Sequence, residues 1–351
     1  MVEKTKMLHP YYNFDRIYSY GAFLNVVVGA RGLGKTYGKK IRDLKRAIRY
    51  GEEWIYLRRY KEDMASAKAN YFNDVDPEEF PDYDMRVNGN VAEYAPKATR
   101  TDKKRIWTTM GYFVVLSQAQ SKKSVSYHKV RSITYDEFII EGGNLQYLRD
   151  EVTVLLNFYA TVDRWKDKTK LFLFANSVSI ANPFFLRWNI DPNEGEWVVR
   201  RNAKNTRNTI VVHFAKSEDF IASVMQTDFG EFIEGSEYAK YAVGNEFADN
   251  HDNLLRIKPE LAKYLFTLHT RQGTFSVWTM YGLGDYYIQS KLPKSQILQY
   301  VMDSSMHKEG RILLRYGDVQ LRVLRSAFDR AQMYFDTASA RNAMLEIFDR
   351  K

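Results

Sequence analysis

The chain of 351 residues contains no cysteine, which excludes disulfide bonds and metal sites built on thiolates. No stretch approaches the roughly 18 consecutive apolar residues that a membrane-spanning helix needs. The six histidines show no metal-ligand spacing, and neither a His-Glu-x-x-His nor a Gly-x-Ser-x-Gly segment occurs. The sequence therefore offers no support for a membrane span, a structural zinc site or a serine-hydrolase triad.

The bulk composition is that of a folded protein. Hydrophobic residues make up 45% of the chain, enough for a sizeable core, and the length predicts two folded units. The N-terminal residues MVEKTKMLHPYYNF lack the apolar centre of a secretory signal. These observations predict a soluble, intracellular protein.

The charge is strongly basic, with a formal net charge of +9 and a sequence pI of about 9.3. Residues 251–351 carry 15 Lys and Arg against 10 Asp and Glu, more than half of the excess on less than a third of the length. A basic balance suits a polyanionic partner, whose phosphates it would neutralise. Many basic proteins bind no nucleic acid, so the charge leaves both possibilities open.

The segment FLNVVVGARGLGKTYGKK (residues 23–40) has the form of a phosphate-binding P-loop. The apolar run at residues 22–28 predicts a buried strand, and a helix is expected over residues 35–50. The eight-residue pattern between them is matched in full by Gly29, Ala30, Arg31, Gly32, Leu33, Gly34, Lys35 and Thr36. Such glycines let backbone N–H groups converge on phosphate oxygens at a helix N-terminus. Lys35 would reach the β- and γ-phosphates of ATP, and Thr36 would hold Mg²⁺.

An acid pair stands at the end of another predicted strand. Asp136 and Glu137 close the segment VRSITYDEF (residues 130–138), about 100 residues after the P-loop. Asp136 is predicted to bind Mg²⁺ through water, and Glu137 to orient or deprotonate an attacking water. An Asp-Glu pair on an ordinary surface is the alternative. Because a small-molecule kinase must exclude water, a water-activating Glu favours ATP hydrolysis coupled to motion.

Two polar residues near the predicted strand KLFLFANS (residues 170–177) suit such a motor. Asn176 ends this strand, where its side chain could sense the γ-phosphate; capping of a turn is the alternative. Arg164 precedes the strand and could stabilise transition-state charge at a neighbouring subunit's nucleotide, an effect worth about 10³–10⁵ in rate. A solvated surface arginine is the alternative. Arg149 is the less favoured candidate because it falls inside a helix predicted over residues 144–165.

Strands alternate with helices over the first part of the chain, which predicts an α/β fold with a central parallel sheet. Further strands are predicted at residues 54–59, 105–110, 112–117 and 209–215. Gly111 is expected to join the second and third of these. Short helices are expected over residues 217–250. Three consecutive antiparallel strands are then predicted, at residues 263–271, 274–282 and 285–292, followed by one or two helices over residues 322–348.

Basic clusters are predicted in loops, where they would be free to touch a phosphate backbone. They lie at residues 97–105, 122–123, 166–170 and 200–207. The nucleic-acid candidates among them are Lys103, Lys104, Lys122 and Lys123. No base-reading motif occurs, so contacts without sequence choice are expected. For each cluster a solvated loop is the alternative.

The P-loop GARGLGKTYGKK, the segment WIYLRRYKED, the acid pair in SITYDEF and the order of Arg164 before KLFLFANS together resemble the phi-29-like bacteriophage DNA-packaging ATPases. The resemblance covers roughly residues 15–215. It implies an additional-strand, catalytic-Glu (ASCE) P-loop ATPase domain that forms a homopentameric ring on the viral prohead, in the host cytoplasm, and drives double-stranded DNA through its pore. A prohead RNA ring would anchor it to the portal. By the same resemblance, Arg164 looks like a trans-acting finger and Lys123 like a second trans-acting residue.

The C-terminal part is the weaker match. In the larger terminases this domain is an RNase H-like nuclease, whose two metal ions are held by acids that project from the sheet. The first two hairpin strands here contain no Asp or Glu, so we expect a vestigial RNase H-like fold that binds RNA or DNA without nuclease activity. The predicted organisation is a P-loop ATPase domain over residues 1–205, a helical linker or lid over residues 206–254 and this smaller α+β domain over residues 255–351.

The leading hypothesis is a viral ATPase that translocates double-stranded DNA. A nucleic-acid-dependent ATPase of helicase or recombinase type is the alternative, and strand separation would distinguish it. A nucleoside or nucleotide kinase would have no need of Glu137. An RNA-binding scaffold with a vestigial P-loop would be indifferent to Lys35→Ala. A switch GTPase is disfavoured because no Asn-Lys-x-Asp segment occurs.

Overall fold

The computed structural model describes residues 12–122, 126–140, 147–148, 150–177, 182–244, 254–280, 282–315, 317–330 and 332–349. The chain divides into two compact units, each with its own sheet. The first comprises Met1–Val178 and Glu194–Ala248, and the second comprises Ser179–Asn193 and Asp249–Lys351. The predicted domain boundaries at residues 205 and 254 stay predictions.

The strands of the described chain are β1 (Leu24–Gly29), β2 (Glu53–Arg58), β3 (Tyr83–Asn88), β4 (Val91–Pro96), β5 (Thr108–Val115), β6 (Val130–Asp136), β7 (Lys170–Ala175), β8 (Trp197–Arg201), β9 (Asn208–Ala215), β10 (Lys263–His269), β11 (Thr274–Met280), β12 (Asp285–Gln289), β13 (Gln299–Val301), β14 (Arg311–Leu313) and β15 (Met333–Phe335). The α-helices are α1 (Asp15–Ser19), α2 (Lys35–Tyr50), α3 (Lys61–Ala69), α4 (Glu151–Asp163), α5 (Pro183–Trp188), α6 (Glu218–Met225), α7 (Asp228–Ile233), α8 (Glu237–Ala242), α9 (Val319–Asp329) and α10 (Ala338–Asp349).

In the first unit, nine strands of the described chain form one sheet in the order β3-β4-β5-β2-β6-β7-β1-β9-β8. Six neighbouring strands of this sheet run parallel: β5, β2, β6, β7, β1 and β9. Antiparallel pairing adds β4 and β3 at one edge of the sheet and β8 at the other. β7 lies between β1, which leads into the P-loop, and β6, which ends at the acid pair. The predicted α/β fold is confirmed, and β7 is the additional strand that the ASCE class requires.

The central strands and α2 follow from their sequences. Every residue of β1 is buried, as expected for a parallel strand covered on both faces. One face of α2 contributes Leu44 and Ala47 to a core that contains Trp54 and Phe113. The helix ends at Gly51, whose left-handed backbone (φ 66°) lets its N–H donate to the Ala47 carbonyl oxygen at 2.9 Å. This strand–loop–helix unit has the form that the predicted phosphate site requires.

The prediction of two strands joined at Gly111 is wrong. A single strand, β5, runs through this position. The glycine is needed for packing, because an added Cβ would lie 2.2 Å from a ring carbon of Trp54 on the neighbouring strand. A glycine inside a strand pattern therefore marks a close approach here and not a turn.

Two other predictions need correction. In the described chain the helix expected over residues 144–165 begins at Glu151, after the left-handed Asp150 (φ 55°), and ends at Asp163, before the left-handed Arg164 (φ 53°). The basic cluster at residues 200–207 does not lie wholly in a loop, since Arg200 and Arg201 belong to β8. Their strand pairs with β9 and closes one edge of the sheet.

The second unit contains a six-stranded sheet in the order β14-β13-β10-β11-β12-β15, counted over the residues that the structure describes. The three consecutive strands β10, β11 and β12 are antiparallel, as predicted. β13 and β14 add in parallel on the β10 side, an order that agrees with the RNase H-like fold. The helices α9 and α10 supply Leu324, Ala343 and Met344 to its core.

Two observations concern the described residues only. None of their helices is both long and apolar enough to cross a membrane. No group of three or more His, Asp or Glu side chains among them is arranged to hold a metal ion.

Candidate active site

The P-loop segment joins the end of β1 to the start of α2. Gly29 is required there, because an added Cβ would lie 2.9 Å from a carbonyl oxygen of β9. Gly32 (φ 87°) and Gly34 (φ 78°) have left-handed backbones, which glycine adopts without steric cost. Leu33 is buried, whereas Arg31 is exposed. The predicted strand, loop and helix are all present, with the loop at a helix N-terminus where anions bind.

The Lys35 side chain is buried at the base of this loop. Its ammonium group donates to the carbonyl oxygens of Gly29 and Ala30, at 2.8 Å in each case. It also donates to the Asn176 Oδ1 atom at 3.3 Å. The structure thus brings together two of the predicted site residues, one from the P-loop and one from the segment after β7.

Thr36 and Asp136 also meet, at the site where the sequence predicts Mg²⁺. The Thr36 hydroxyl donates to Asp136 Oδ2 at 3.1 Å, and the Tyr56 hydroxyl donates to the same oxygen at 2.7 Å. Burial, and then the negative charge of Asp136, raise the pKa of Tyr56 well above its usual value. Tyr56 therefore orients a carboxylate that is itself almost buried.

Glu137 follows β6 with a left-handed backbone (φ 56°), which costs roughly 1–2 kcal/mol for a residue with a Cβ. Its side chain is 60% exposed, and its Oε2 lies 2.6 Å from Nη2 of Arg58, a residue only 12% exposed. The other terminal nitrogen of Arg58 lies 3.7 Å from Asp136 Oδ2. One guanidinium on β2 therefore contacts both members of the predicted acid pair.

Four of the residues at this site were missed by sequence reasoning: Tyr56, Arg58, Arg59 and Glu151. The first three lie in the segment WIYLRRY, at the end of β2, and β2 pairs in parallel with β6. Because the carboxyl ends of neighbouring parallel strands meet at one edge of a sheet, polar residues ending β2 were a usable signal. Glu151, at the start of α4, has no such local signal.

The turn that carries Arg164 is tightly ordered. The Asp163 carboxylate accepts hydrogen bonds from the N–H groups of Asp167 (2.8 Å), Lys168 (2.9 Å) and Thr169 (2.9 Å). Burial by itself raises the pKa of Asp163, but these donors hold the pKa below its ordinary value. Arg164 is exposed at the head of this turn. The backbone of the turn that carries Arg164 is therefore held by the chain's own hydrogen bonds.

Arg164 and the P-loop lie at opposite ends of the strands of the first sheet. Arg164 precedes the start of β7, whereas Asn176 follows its end, and six residues of strand span about 20 Å. The structure therefore does not bring Arg164 together with Lys35 or Glu137 of the same chain.

The predicted nucleic-acid residues that the structure describes lie on either side of β5. Lys103 and Lys104 are exposed between β4 and β5. Lys122 ends a 3₁₀ helix, Leu116–Lys122. Lys123 and Arg149 lie outside the described residues. The role of all these residues stays a prediction.

Comparison with known proteins agrees with this geometry. Residues 6–351 match the family of podovirus DNA encapsidation proteins (Gp16). The chain belongs to this family. It is 33% identical to the DNA packaging protein of Bacillus phage phi29 over 340 residues, 96% of this chain and 97% of that protein. It is 32% identical to the DNA packaging protein of Bacillus phage B103 over 332 residues, 94% and 98% of the two chains. The predicted resemblance to phi-29-like packaging proteins is confirmed.

Two solved structures share the fold. A chain of the bacteriophage Phi-29 viral genome packaging motor assembly matches with a TM-score of 0.71 and 32% identity, over 96% of this chain and 98% of that chain. The Phi-28 gp11 DNA packaging motor matches with a TM-score of 0.68 and 18% identity, over 97% and 98% of the two chains. The family member described here therefore has the fold of a packaging motor subunit along nearly its whole length.

Proposed function

We propose that this chain is the ATPase of a phage DNA-packaging motor, which hydrolyses ATP to move double-stranded DNA into a preformed prohead. The observation that carries the proposal is the contact between the P-loop helix and the acid pair. Thr36 and Tyr56 meet at Asp136, beside the exposed carboxylate of Glu137. Family membership and the phi29 packaging relatives supply the substrate and the setting.

The P-loop residues would bind the phosphates of ATP, with N–H groups facing the oxygens and Lys35 exchanging its carbonyl partners for them. Thr36 would supply an oxygen ligand of the kind that Mg²⁺ prefers, and Asp136 would hold the ion through water; few protein ligands suffice because phosphates and water complete its coordination. The bound ion would neutralise charge on the β- and γ-phosphates. The donor set suits this ion, since the hydroxyl and the carboxylate are already 3.1 Å apart.

Glu137 is the proposed general base. Its carboxylate would leave Arg58 and accept a proton from the attacking water. Asn176, which contacts Lys35, would respond to the γ-phosphate. Arg164 would stabilise transition-state charge in trans, at the nucleotide of the next copy in a homopentameric ring. Arg164 lies at the opposite end of the strands from the P-loop of its own chain, which supports a trans role over a role in its own site.

The proposed partners follow from the family and from charge. The ring would act in the host cytoplasm, attached transiently to the portal and prohead RNA, with no membrane involved. Double-stranded DNA would be held through its phosphates, with Lys103, Lys104, Lys122 and Lys123 as candidate contacts. The second unit would bind RNA or DNA without cutting it, because β10 and β11 contain no acid.

A packaging reaction tests this function. Purified chain, portal-bearing proheads with their RNA, ATP and long duplex DNA are mixed, and nuclease is then added. We expect ATP-dependent protection of the DNA with the wild type and none with Lys35→Ala. If the wild type hydrolyses ATP and separates a forked duplex but protects no DNA, the nucleic-acid-dependent ATPase of helicase or recombinase type becomes the better assignment.

A further inference from the structure

We infer that Arg59 and Glu151 form a buried pair whose function is to position the catalytic Glu137. This inference rests on the proposed function, because it concerns the residue that we propose as the base. Neither residue contacts the predicted phosphate site, so both would act through the backbone of Glu137.

Arg59 holds the main chain on the C-terminal side of Glu137. Its Nη2 donates to the Phe138 carbonyl oxygen at 2.6 Å, and its Nη1 donates to the Glu137 carbonyl oxygen at 3.2 Å. On the N-terminal side, the N–H group of Glu137 donates a hydrogen bond to Asp136 Oδ1 at 3.1 Å. The left-handed residue is therefore tied at both of its peptide bonds.

Glu151 fixes the guanidinium in turn. Its Oε2 accepts from Nε of Arg59 at 2.8 Å, and its Oε1 accepts from Nη2 at 3.0 Å. The Tyr135 hydroxyl (2.6 Å) and the Leu148 N–H (2.8 Å) complete the carboxylate's hydrogen bonds. Because Glu151 is 1% and Arg59 4% exposed, solvent has little access to replace these partners, and the pair favours the placement of Arg59 described here.

The backbone conformation of Glu137 makes this pair more than a packing feature. A non-glycine residue remains in a left-handed conformation only where its surroundings over-determine it. The two carbonyl contacts need a planar fork with several donors, which arginine supplies and lysine does not. Loss of the fork should let the peptide after Glu137 relax and move its carboxylate. A displacement of about 1 Å at a catalytic group can cost about 10² in rate.

A purely structural anchor for α4 is the competing explanation, and turnover kinetics separate the two. For Arg59→Lys we expect kcat for ATP to fall at least about 10-fold, with KM and nucleotide affinity changed by less than about 3-fold. The matched control is Arg46→Lys, the same substitution at a bidentate Arg–Glu pair (Arg46 to Glu52, 2.6 and 2.7 Å) outside the site. The control should keep the wild-type kcat. An unchanged kcat in Arg59→Lys, or an equal loss in the control, would overturn the positioning role.

A double variant asks whether Arg59 acts through Glu137. In a Glu137→Gln background, adding Arg59→Lys should lower the residual rate by less than about 2-fold, since the group being positioned is already lost. A further 10-fold loss would mean that Arg59 acts elsewhere. If Arg59→Lys does not fold, Glu151→Gln replaces it in both measurements, with the same direction expected.

A crystal structure of Arg59→Lys gives a readout that needs no turnover. We expect the Glu137 backbone to leave its left-handed conformation, while β6 and the P-loop keep theirs. An unchanged Glu137 backbone overturns the inference whether or not the wild type hydrolyses ATP. A wild type without ATPase activity would count against the proposed function alone.

Discussion

The two sheets of this protein handle buried polarity in different ways. At the carboxyl edge of the first sheet, charged side chains such as Lys35, Arg59 and Glu151 are buried and bound to one another or to carbonyl groups. On β10 and β11 the buried polar residues include Thr267, His269 and Ser276, and no described residue of these strands is acidic.

The difference indicates where chemistry is to be expected. A buried charge is costly unless it is paired, and a hydrophobic replacement is often equally stable. Charged groups are therefore informative where they converge on one loop, as they do around Glu137. In the second unit, His269 joins Thr274 (3.0 Å) and Gln299 (2.8 Å), a network that completes hydrogen bonds between strands and needs no reaction to explain it.

The largest expected effect is that of Glu137→Gln. Turnover should fall by about 10⁴, the upper range for loss of a general base, while ATP affinity stays within a few-fold of the wild type because the P-loop is intact. Steady-state hydrolysis and binding of a fluorescent ATP analogue measure the two quantities. Lys35→Ala serves as the contrasting variant, since it should lose binding as well. Hydrolysis by Glu137→Gln at the wild-type rate would contradict the assignment of Glu137 as the general base.

Arg164→Ala should lower DNA-stimulated turnover by about 10³, at the lower end of the range for an arginine finger. Mixing it with Lys35→Ala should restore part of the activity, because each variant supplies what its neighbour lacks. Lys166→Ala, in the same exposed turn, is the control and should lose little. Absence of rescue in mixed rings would argue that Arg164 does not act in trans.

Tyr56→Phe tests how much a single hydrogen bond contributes to the charged site of the first sheet. Loss of the hydrogen bond to Asp136 should weaken the apparent affinity for Mg²⁺ by about 10-fold, as does the loss of other side chains that hydrogen-bond to groups holding a metal ion. The control is Tyr112→Phe, which removes a similar bond to Glu53 (3.1 Å) away from the site. A Mg²⁺ titration of ATPase activity measures both. Equal behaviour of the two variants would contradict an orienting role for Tyr56.

The smallest effect on activity is expected in the second sheet. His269→Ala should lower the free energy of unfolding by about 1–3 kcal/mol, because it leaves buried partners unsatisfied. The kcat of the folded protein for ATP should not change. Thermal unfolding and turnover at a temperature well below the transition measure these properties. A large fall in kcat with no loss of stability would show that the second sheet takes part in hydrolysis.

The elements with local signals were predictable from the sequence. The P-loop pattern lies between a continuous apolar run and a helix that ends at Gly51, so β1 and α2 were placed correctly. Asp136 was recognised because it ends a strand at a suitable distance from Lys35. The three antiparallel strands β10 to β12 were predicted from consecutive strand-like segments separated by tight turns that contain glycine.

The remaining features depend on contacts between distant parts of the chain. Gly111 has the local signature of a turn, and only the Trp54 ring beside it explains its place in β5. Arg58 and Arg59 are adjacent in sequence, yet the first contacts the Glu137 side chain and the second its backbone. Arg58 ends β2 and Arg59 follows it, so continued alternation of side chains separates their directions, but which neighbour each meets follows from the strand order. Glu151 could be assigned only once α4 was seen beside them.

The central claim is that ATP with Mg²⁺ binds between the glycine-rich loop after β1 and the acids after β6, in position for attack by water. A crystal structure with Mg²⁺ and a nonhydrolysable ATP analogue tests this most directly. The account predicts that the ion contacts the Thr36 hydroxyl and lies beside Asp136, with the Glu137 carboxylate released from Arg58 and facing the γ-phosphate. An analogue bound elsewhere, or a terminal phosphate remote from both acids, would contradict it.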